Sequence, residues 1–273
     1  MPSGSEMQQL FEQVTLAIFT GETEAVAELL RVNPAVATHR AERGHPTLLQ
    51  MVACEEPRVS EPEAITSLLL AAGASPGAPL VSAAGCNSPR TLRVILDHGT
   101  DVDAGHAWTP LDEALYWNNI DMAQLLLVRG ASQGRLRRAA GTGDVAAVGS
   151  FFDGDELTTN AGPILGPFAD TYDATSQRDP RAILDHAFVM AVNCGQAEAA
   201  ERLLARGAEV NAVPPGYHWR GTALHAAIWR GNADLVTWLL EAGADPKMRD
   251  GHSDADAMGW ALHHNEHLAD LLP

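Results

Sequence analysis

The chain is almost without lysine: Lys247 is the only one in 273 residues. Schiff-base chemistry therefore has a single candidate nitrogen. Positive charge is scarce in general, with 18 Lys and Arg against 35 Asp and Glu, a net charge of −17. A surface of that sign repels a phosphate backbone, so no nucleic-acid partner is expected. Cysteine is scarce too. Cys54, Cys86 and Cys194 cannot all pair within one chain, and no Cys-x-x-Cys occurs. That excludes a zinc ribbon and fits a reducing, cytoplasmic compartment better than a disulfide framework. No apolar run approaches the ~18 residues of a membrane span, so no membrane is expected. The start, Met1-Pro-Ser-Gly-Ser-Glu6, lacks the basic-then-apolar order of a secretory leader. There is no G-x-S-x-G elbow and no Gly-rich phosphate loop before a lysine. No motif implies a cofactor or a metal. Aromatic residues are only 5% of a chain that is 46% apolar, mostly Ala and Leu, a recipe for small, closely packed helices.

What is present is a repeated two-helix grammar. Residues 221–250 read G-T-A-L-H-A-A-I-W-R-G-N-A-D-L-V-T-W-L-L-E-A-G-A-D-P-K-M-R-D. Thr222-Ala-Leu-His225 opens one helix, Gly231-Asn232 closes it, and a second helix ends at Gly243. This resembles the ankyrin repeat, whose signature T-P-L-H-x-A precedes two helices in about 33 residues. Thr109-Pro-Leu-Asp-Glu-Ala-Leu115 is the next best match. The same grammar predicts helix pairs at 10–19 and 23–31, 46–54 and 62–72, 79–85 and 89–98, 109–115 and 121–129, 135–141 and 144–152, 181–194 and 197–206, 222–230 and 235–241, and 256–264 and 266–272. Between the helices of a pair stands Gly21, Gly143, Gly195 or Gly231, or else Asn87, Asn118 or Asn265; the second pair has no such residue. Gly and Asn best tolerate positive φ, so one backbone demand is expected at all these places.

The resemblance implies an all-α ankyrin solenoid of about eight units including caps, with residues 1–273 as a single domain. The connectors are irregular. Residues 100–108 and 208–221 have the length of a hairpin finger, but 73–80 and 130–136 are too short for one, so some fingers look missing. Residues 155–180 are far too long and are read as an insertion, a candidate lid whose Ile164, Leu165, Phe168 and Tyr172 are spaced to pack.

Family members bind along a concave groove lined by the fingers and the ends of the inner helices. Carried onto this sequence, those positions hold Tyr116, Trp117, Trp229, Arg230 and His263, with Glu113, Arg138 and Trp260 one turn earlier. The fingers add Trp108, His218, Trp219 and Arg220, along with His106 and Tyr217. Trp108, Trp117, Trp219, Trp229 and Trp260 thus fall at predicted groove positions, and only Trp238 sits in an outer helix. Trp is not needed to fill an Ala/Leu core. Either these rings wedge repeats together, or they line a binding site with polar groups among them. His225 sits in the signature, where the resemblance implies a hydrogen-bonding role between turns. His263, His264 and His267 do not read as a metal set, because Asn265 breaks the helix between them.

The expectation is a non-catalytic recognition module presenting an aromatic-rich groove to a protein or peptide, acting as a monomer. The alternative is a small-molecule-binding protein or enzyme, its Trp-lined pocket closed by residues 155–180. There a carboxylate, Glu113 or Asp112, would serve as general acid/base.

Overall fold

The computed structural model describes residues 4–40, 46–105, 107–166 and 175–273. The chain divides into two compact units, Met1–Ala131 and Ser132–Pro273. Both are built from helix pairs. The first unit holds α1 (Gly4–Thr20), α2 (Thr23–Val32), α3 (Leu48–Cys54), α4 (Pro62–Ala71), α5 (Gly77–Gly85), α6 (Pro89–Asp97), α7 (Pro110–Tyr116) and α8 (Ile120–Val128). The second holds α9 (Leu136–Thr142), α10 (Val145–Ser150), α11 (Pro180–Asn193), α12 (Ala197–Ala205), α13 (Ala223–Trp229), α14 (Ala233–Glu241) and α15 (Ala257–His264), followed by a 3-10 segment, Glu266–Leu271. These follow the helix pairs expected from the sequence to within about two residues at each end, except that α1 begins at Gly4, six residues before the expected start.

Inner helices stack on inner helices: α3 on α5 on α7 in the first unit, and α9 on α11 on α13 on α15 in the second. The sequence permits this because the facing residues are small. In α13, Ala223, Ala226 and Ala227 are buried beside Leu224 and Ile228. Apart from the 14-residue α11, each such helix is only about two turns long, too short to hold itself, so neighbouring helices supply its stability. Side-chain caps fix where it starts. Thr47 with Gln50, Thr109 with Asp112 and Thr222 with His225 each form a reciprocal capping box.

The residue linking the two helices of a pair is left-handed at Gly231 (φ 69°) and also at Asn118 (φ 60°), where the side chain tolerates what most residues avoid. Asn265 does not follow this rule. Its φ is −151°, because the last pair enters its 3-10 segment directly from α15. Asn265 instead donates its side-chain amide to the carbonyls of Ile228 (2.7 Å) and Trp229 (3.1 Å), bonding to the end of the preceding inner helix. Asn119 does the same to Ala84 (2.9 Å) and Gly85 (2.7 Å), and the Ser88 hydroxyl to Ala53 (2.6 Å). Asn265 is therefore a bonding residue between helix pairs and not a turn residue.

The connectors carry little sheet. The fingers at 100–108 and 208–221 run as turns, and His106 lies outside the described residues. Among the described residues the strand pairing is a short antiparallel hairpin, Phe152–Asp153 with Glu156–Leu157, which opens the long insertion. From there the chain forms a 3-10 turn, Thr159–Ala161. The Ile164 N–H donates to the Gln177 carbonyl at 2.8 Å, closing the insertion on itself. Arg137, buried in α9, donates to the Pro163 carbonyl at 3.1 Å. Phe168 and Tyr172 lie outside the described residues. In the first unit, the polar stretch after α3 has a definite task. Glu56 is buried and accepts the Thr91 N–H at 2.7 Å, placing a carboxylate on the first turn of α6.

His225 occupies the bonding role expected of it. Its Nδ1 is 3.1 Å from the Thr222 backbone N and 2.9 Å from the Thr222 hydroxyl, and Nε2 reaches the Ala255 carbonyl at 3.4 Å. Burial holds its pKa below the ordinary value against the opposing pull of the Ala255 carbonyl and Asp250. A ring that accepts at Nδ1 must be neutral. Its contribution is therefore present above the unfolded-chain value of about 6.5 and is lost as pH falls through the lower folded value. Acidifying from about pH 7.5 to about 5 is expected to lower the melting temperature, and His225→Ala to shrink that fall while costing about 1–2 kcal/mol at neutral pH. Melting curves of both proteins across that range check it.

Candidate functional site

The second unit gathers three tryptophans around one cavity. Trp229 is the last residue of α13, and Trp260 stands on α15. Trp219 comes from the 208–221 finger. That finger is held by Tyr217, whose hydroxyl donates to the His186 carbonyl at 3.0 Å while its ring stacks on His186 at 4.7 Å. The Trp219 and Trp229 rings meet edge to face at 5.2 Å, and Trp229 and Trp260 at 6.2 Å. His218 and His264 stand against the same rings, 5.8 and 6.3 Å from Trp229. Together with His252, Ser253, Ala255, Gly259 and His263 they enclose a cavity of about 400 Å³.

Two groups behind the wall fix it. Arg230 caps α13, lays its guanidinium 4.2 Å over the Trp229 ring, and donates twice to Asn193 Oδ1, at 3.0 and 2.9 Å. The ring is thereby held by a cation–π contact whose cation is itself anchored. Asp250 organises the opposite wall. Its buried carboxylate accepts the His252 N–H (2.8 Å), the Ser253 N–H and hydroxyl (2.6 Å each), the Ala255 N–H (2.9 Å) and the Trp260 indole N–H (2.9 Å). Burial alone would raise its pKa, but these bonds prevail and hold the carboxyl well below the usual carboxylate range. One side chain thus shapes the 250–255 turn and orients a ring of the cavity.

The electrostatics follow from the lining. Among the described residues no carboxylate side chain lines the cavity. Burial pushes the His218 pKa down, helped by the nearby charges of His252 and Arg230, and burial with His263 does the same to His264. Near neutral pH these imidazoles are uncharged donor–acceptors set among aromatic faces.

The remaining candidates lie elsewhere. In the first unit, Trp108, Tyr116 and Trp117 form their own cluster, with Tyr116 buried and its ring 5.9 and 5.1 Å from those of Trp108 and Trp117. Both indole N–H groups donate to Glu113, from Trp117 to Oε1 at 2.8 Å and from Trp108 to Oε2. Asp112 is buried, and its Oδ2 accepts the Thr109 N–H and hydroxyl at 3.0 Å each. These bonds give the two carboxylates structural tasks. Glu113→Ala is expected to cost about 1–2 kcal/mol by stranding two indole donors, read as a lower urea midpoint and a shifted tryptophan emission. In the second unit, Arg138 is buried and donates to the Ser132 carbonyl at 3.1 Å. Arg220, exposed at φ 50°, lines a separate cleft with Arg249 and Pro214.

Of the residues expected in the groove, the fold brings Trp219, Trp229, Trp260, His218 and His263 to one cavity, with Arg230 over the Trp229 ring. Asp250 and His252 were not among the positions expected from the sequence, whereas Asn193 and His264 stood at expected groove positions. For Asp250 a signal existed: Asp250-Gly-His-Ser253 has the composition of a side-chain-bonded turn.

Known proteins agree with this architecture. The family described as "Ankyrin repeat" matches residues 106–135, and that described as "Ankyrin repeats (3 copies)" matches residues 171–250. Among curated proteins, the 2-5A-dependent ribonuclease of Mus musculus is 38% identical over 65 residues, which is 24% of this chain and 9% of that enzyme. The chain therefore aligns with only a small part of that relative's length. No helix among the described residues is long and apolar enough to cross a membrane. Paired short helices, Thr-initiated capping boxes, left-handed linkers and the matched segments together show that this chain carries ankyrin repeats.

Proposed function

We infer that this chain, which carries ankyrin repeats, is a recognition module that binds other proteins. We propose that its recognition site is the Trp219–Trp229–Trp260 cavity, and that the cavity takes an aromatic side chain of a partner peptide next to a carboxylate. The observation that carries this reading is an aromatic-walled cavity with no acidic lining in a protein of net charge −17. Edge-to-face tryptophans favour another ring. The neutral imidazoles offer hydrogen-bond donors, and Arg230 supplies the positive charge beside them.

A second reading, a small aromatic acid as ligand, draws on cavity size: about 400 Å³ lies within the ~300–1,000 Å³ of small-molecule sites. The experiment is titration calorimetry with two probe sets. One is a peptide series holding Trp, Phe or Leu beside Asp or Glu; the other is a set of free aromatic carboxylates such as indole acetate. Micromolar binding of the Trp–acid peptide with no heat from the free acids supports the peptide reading. The reverse supports the small ligand, and equal affinity for the Leu peptide sinks the aromatic cavity as the recognition element.

A further inference from the structure

The first unit carries a pair of thiols that the recognition site does not use. Cys54 is the last residue of α3 and Cys86 the C-cap of α5, helices that pack against each other. The Ser88 hydroxyl bonded to the Ala53 carbonyl at 2.6 Å ties the two helix ends together within two residues of both cysteines. Both side chains are exposed and free. The two thiols thus stand at the same end of two packed helices, near enough for each to bear on the other's titration, with Ser82 of α5 beside them. Both cysteines stand where a helix has just stopped, so the backbone there can yield by the small amount that a disulfide, with its Cα atoms within ~7 Å, demands.

We propose that Cys54 and Cys86 are a redox couple, in which a hydroperoxide oxidises Cys54 and Cys86 resolves it to a disulfide joining the second and third helix pairs. The Cys54 thiolate attacks the peroxide oxygen, the O–O bond breaks, and water or an alcohol leaves. Cys54 is then a sulfenic acid. The Cys86 sulfur attacks Cys54, the S–O bond breaks, and hydroxide leaves as water with the Cys86 proton. Two thiols are oxidised and one peroxide is reduced.

The division of roles follows from the surroundings. Its neighbour Cys86 holds the Cys54 thiol down at about 7, with Ser82 assisting against burial and the charges of Glu55 and Glu113. Cys86 is pushed up by Cys54, by burial and by those carboxylates, so it keeps its proton. Cys54 is the attacking group and Cys86 the resolving one. Cys194, in the second unit, is buried with its thiol pushed up to about 12, and serves as an unreactive internal control. The bridge would form beside Glu113: a Cβ on Gly85 would fall 2.7 Å from Glu113 Oε1. Oxidation would therefore disturb the acceptor of the Trp108 and Trp117 indoles.

The test treats the reduced full chain with hydrogen peroxide, followed by non-reducing peptide mapping. The expected product is a monomer lighter by two hydrogens, with a peptide linking Cys54 to Cys86 and Cys194 still a thiol. In Cys86→Ala the reaction should stop at a Cys54 sulfenic acid that dimedone captures. Its formation near pH 7 should be roughly three- to sixfold slower, as the thiolate fraction falls faster than nucleophilicity rises. Both positions are exposed, so the variant should fold, and its melting curve verifies that. Disulfide-linked dimers, independent oxidation of the two cysteines without a linked peptide, or an unchanged Cys54 rate in Cys86→Ala would each overturn the proposal.

Discussion

Asp250→Ala is expected to lower the stability of the second unit by about 3 kcal/mol and to abolish binding at the Trp cavity. The carboxylate receives bonds from the backbone at His252, Ser253 and Ala255, from the Ser253 hydroxyl and from the Trp260 indole. Charge-assisted bonds contribute about 1.5–3 kcal/mol each, but they are not additive, and water can reach the exposed donors of His252 and Ser253. The indole donor and the Ala255 N–H are less easily rehydrated and dominate the cost. At roughly 2–4 °C per kcal/mol for a unit of this size, the melting temperature should fall by about 6–12 °C. Acid adds a second signature. Asp250 has its folded pKa depressed below the unfolded value of about 3.9, so it binds fewer protons when folded. Its contribution is fully present above about pH 4 and is lost as pH falls toward the folded value. The wild type should lose stability steeply below about pH 4, and Asp250→Ala should lose less. A melting temperature unchanged by the substitution would falsify the role assigned to this residue.

Trp229→Ala is expected to weaken binding of the Trp–acid peptide by about 2–3 kcal/mol, roughly 30- to 150-fold, while leaving the fold standing. The ring touches Trp219, Trp260, His218 and Arg230 at once, so its removal opens the cavity and leaves the guanidinium without the face it rests on. The residue is half-exposed, which keeps the folding cost below that of a buried tryptophan. Trp117→Ala is the matched control. Its indole is bonded to Glu113 in the first unit, so the same calorimetric titration should give the wild-type affinity. Equal losses in the two variants would mean that binding does not reside in the second-unit cavity.

The sequence by itself determined the repeat. Thr222-Ala-Leu-His225 places a capping box, a small-residue helix face and a bond to the next turn within a few residues. Such local interactions are written in local order. Helix pairs, the left-handed residues from Gly21 to Gly231 and the small facing side chains were legible for that reason. Register alone also carried Trp229 and Trp260 to helix positions that later share a wall.

Tertiary structure decided which residues act together. Tyr116 and Trp229 occupy equivalent places in their repeats, yet one ring is buried between Trp108 and Trp117 and the other faces a cavity. The difference depends on what the adjoining fingers bring near, Trp108 in one repeat and His218 with Trp219 in the other. Asn265 looked like a turn residue because its type allows one, but its side chain is bonded to the carbonyls of Ile228 and Trp229, more than thirty residues away in sequence, and its φ is −151°. Asp250 drew no notice among 35 acidic residues until its donors closed around it. Cys54 and Cys86 became a pair only when α3 and α5 packed. A repeat is specified by contacts between near neighbours, whereas a site is specified by contacts between repeats, and only the folded chain brings those partners within reach.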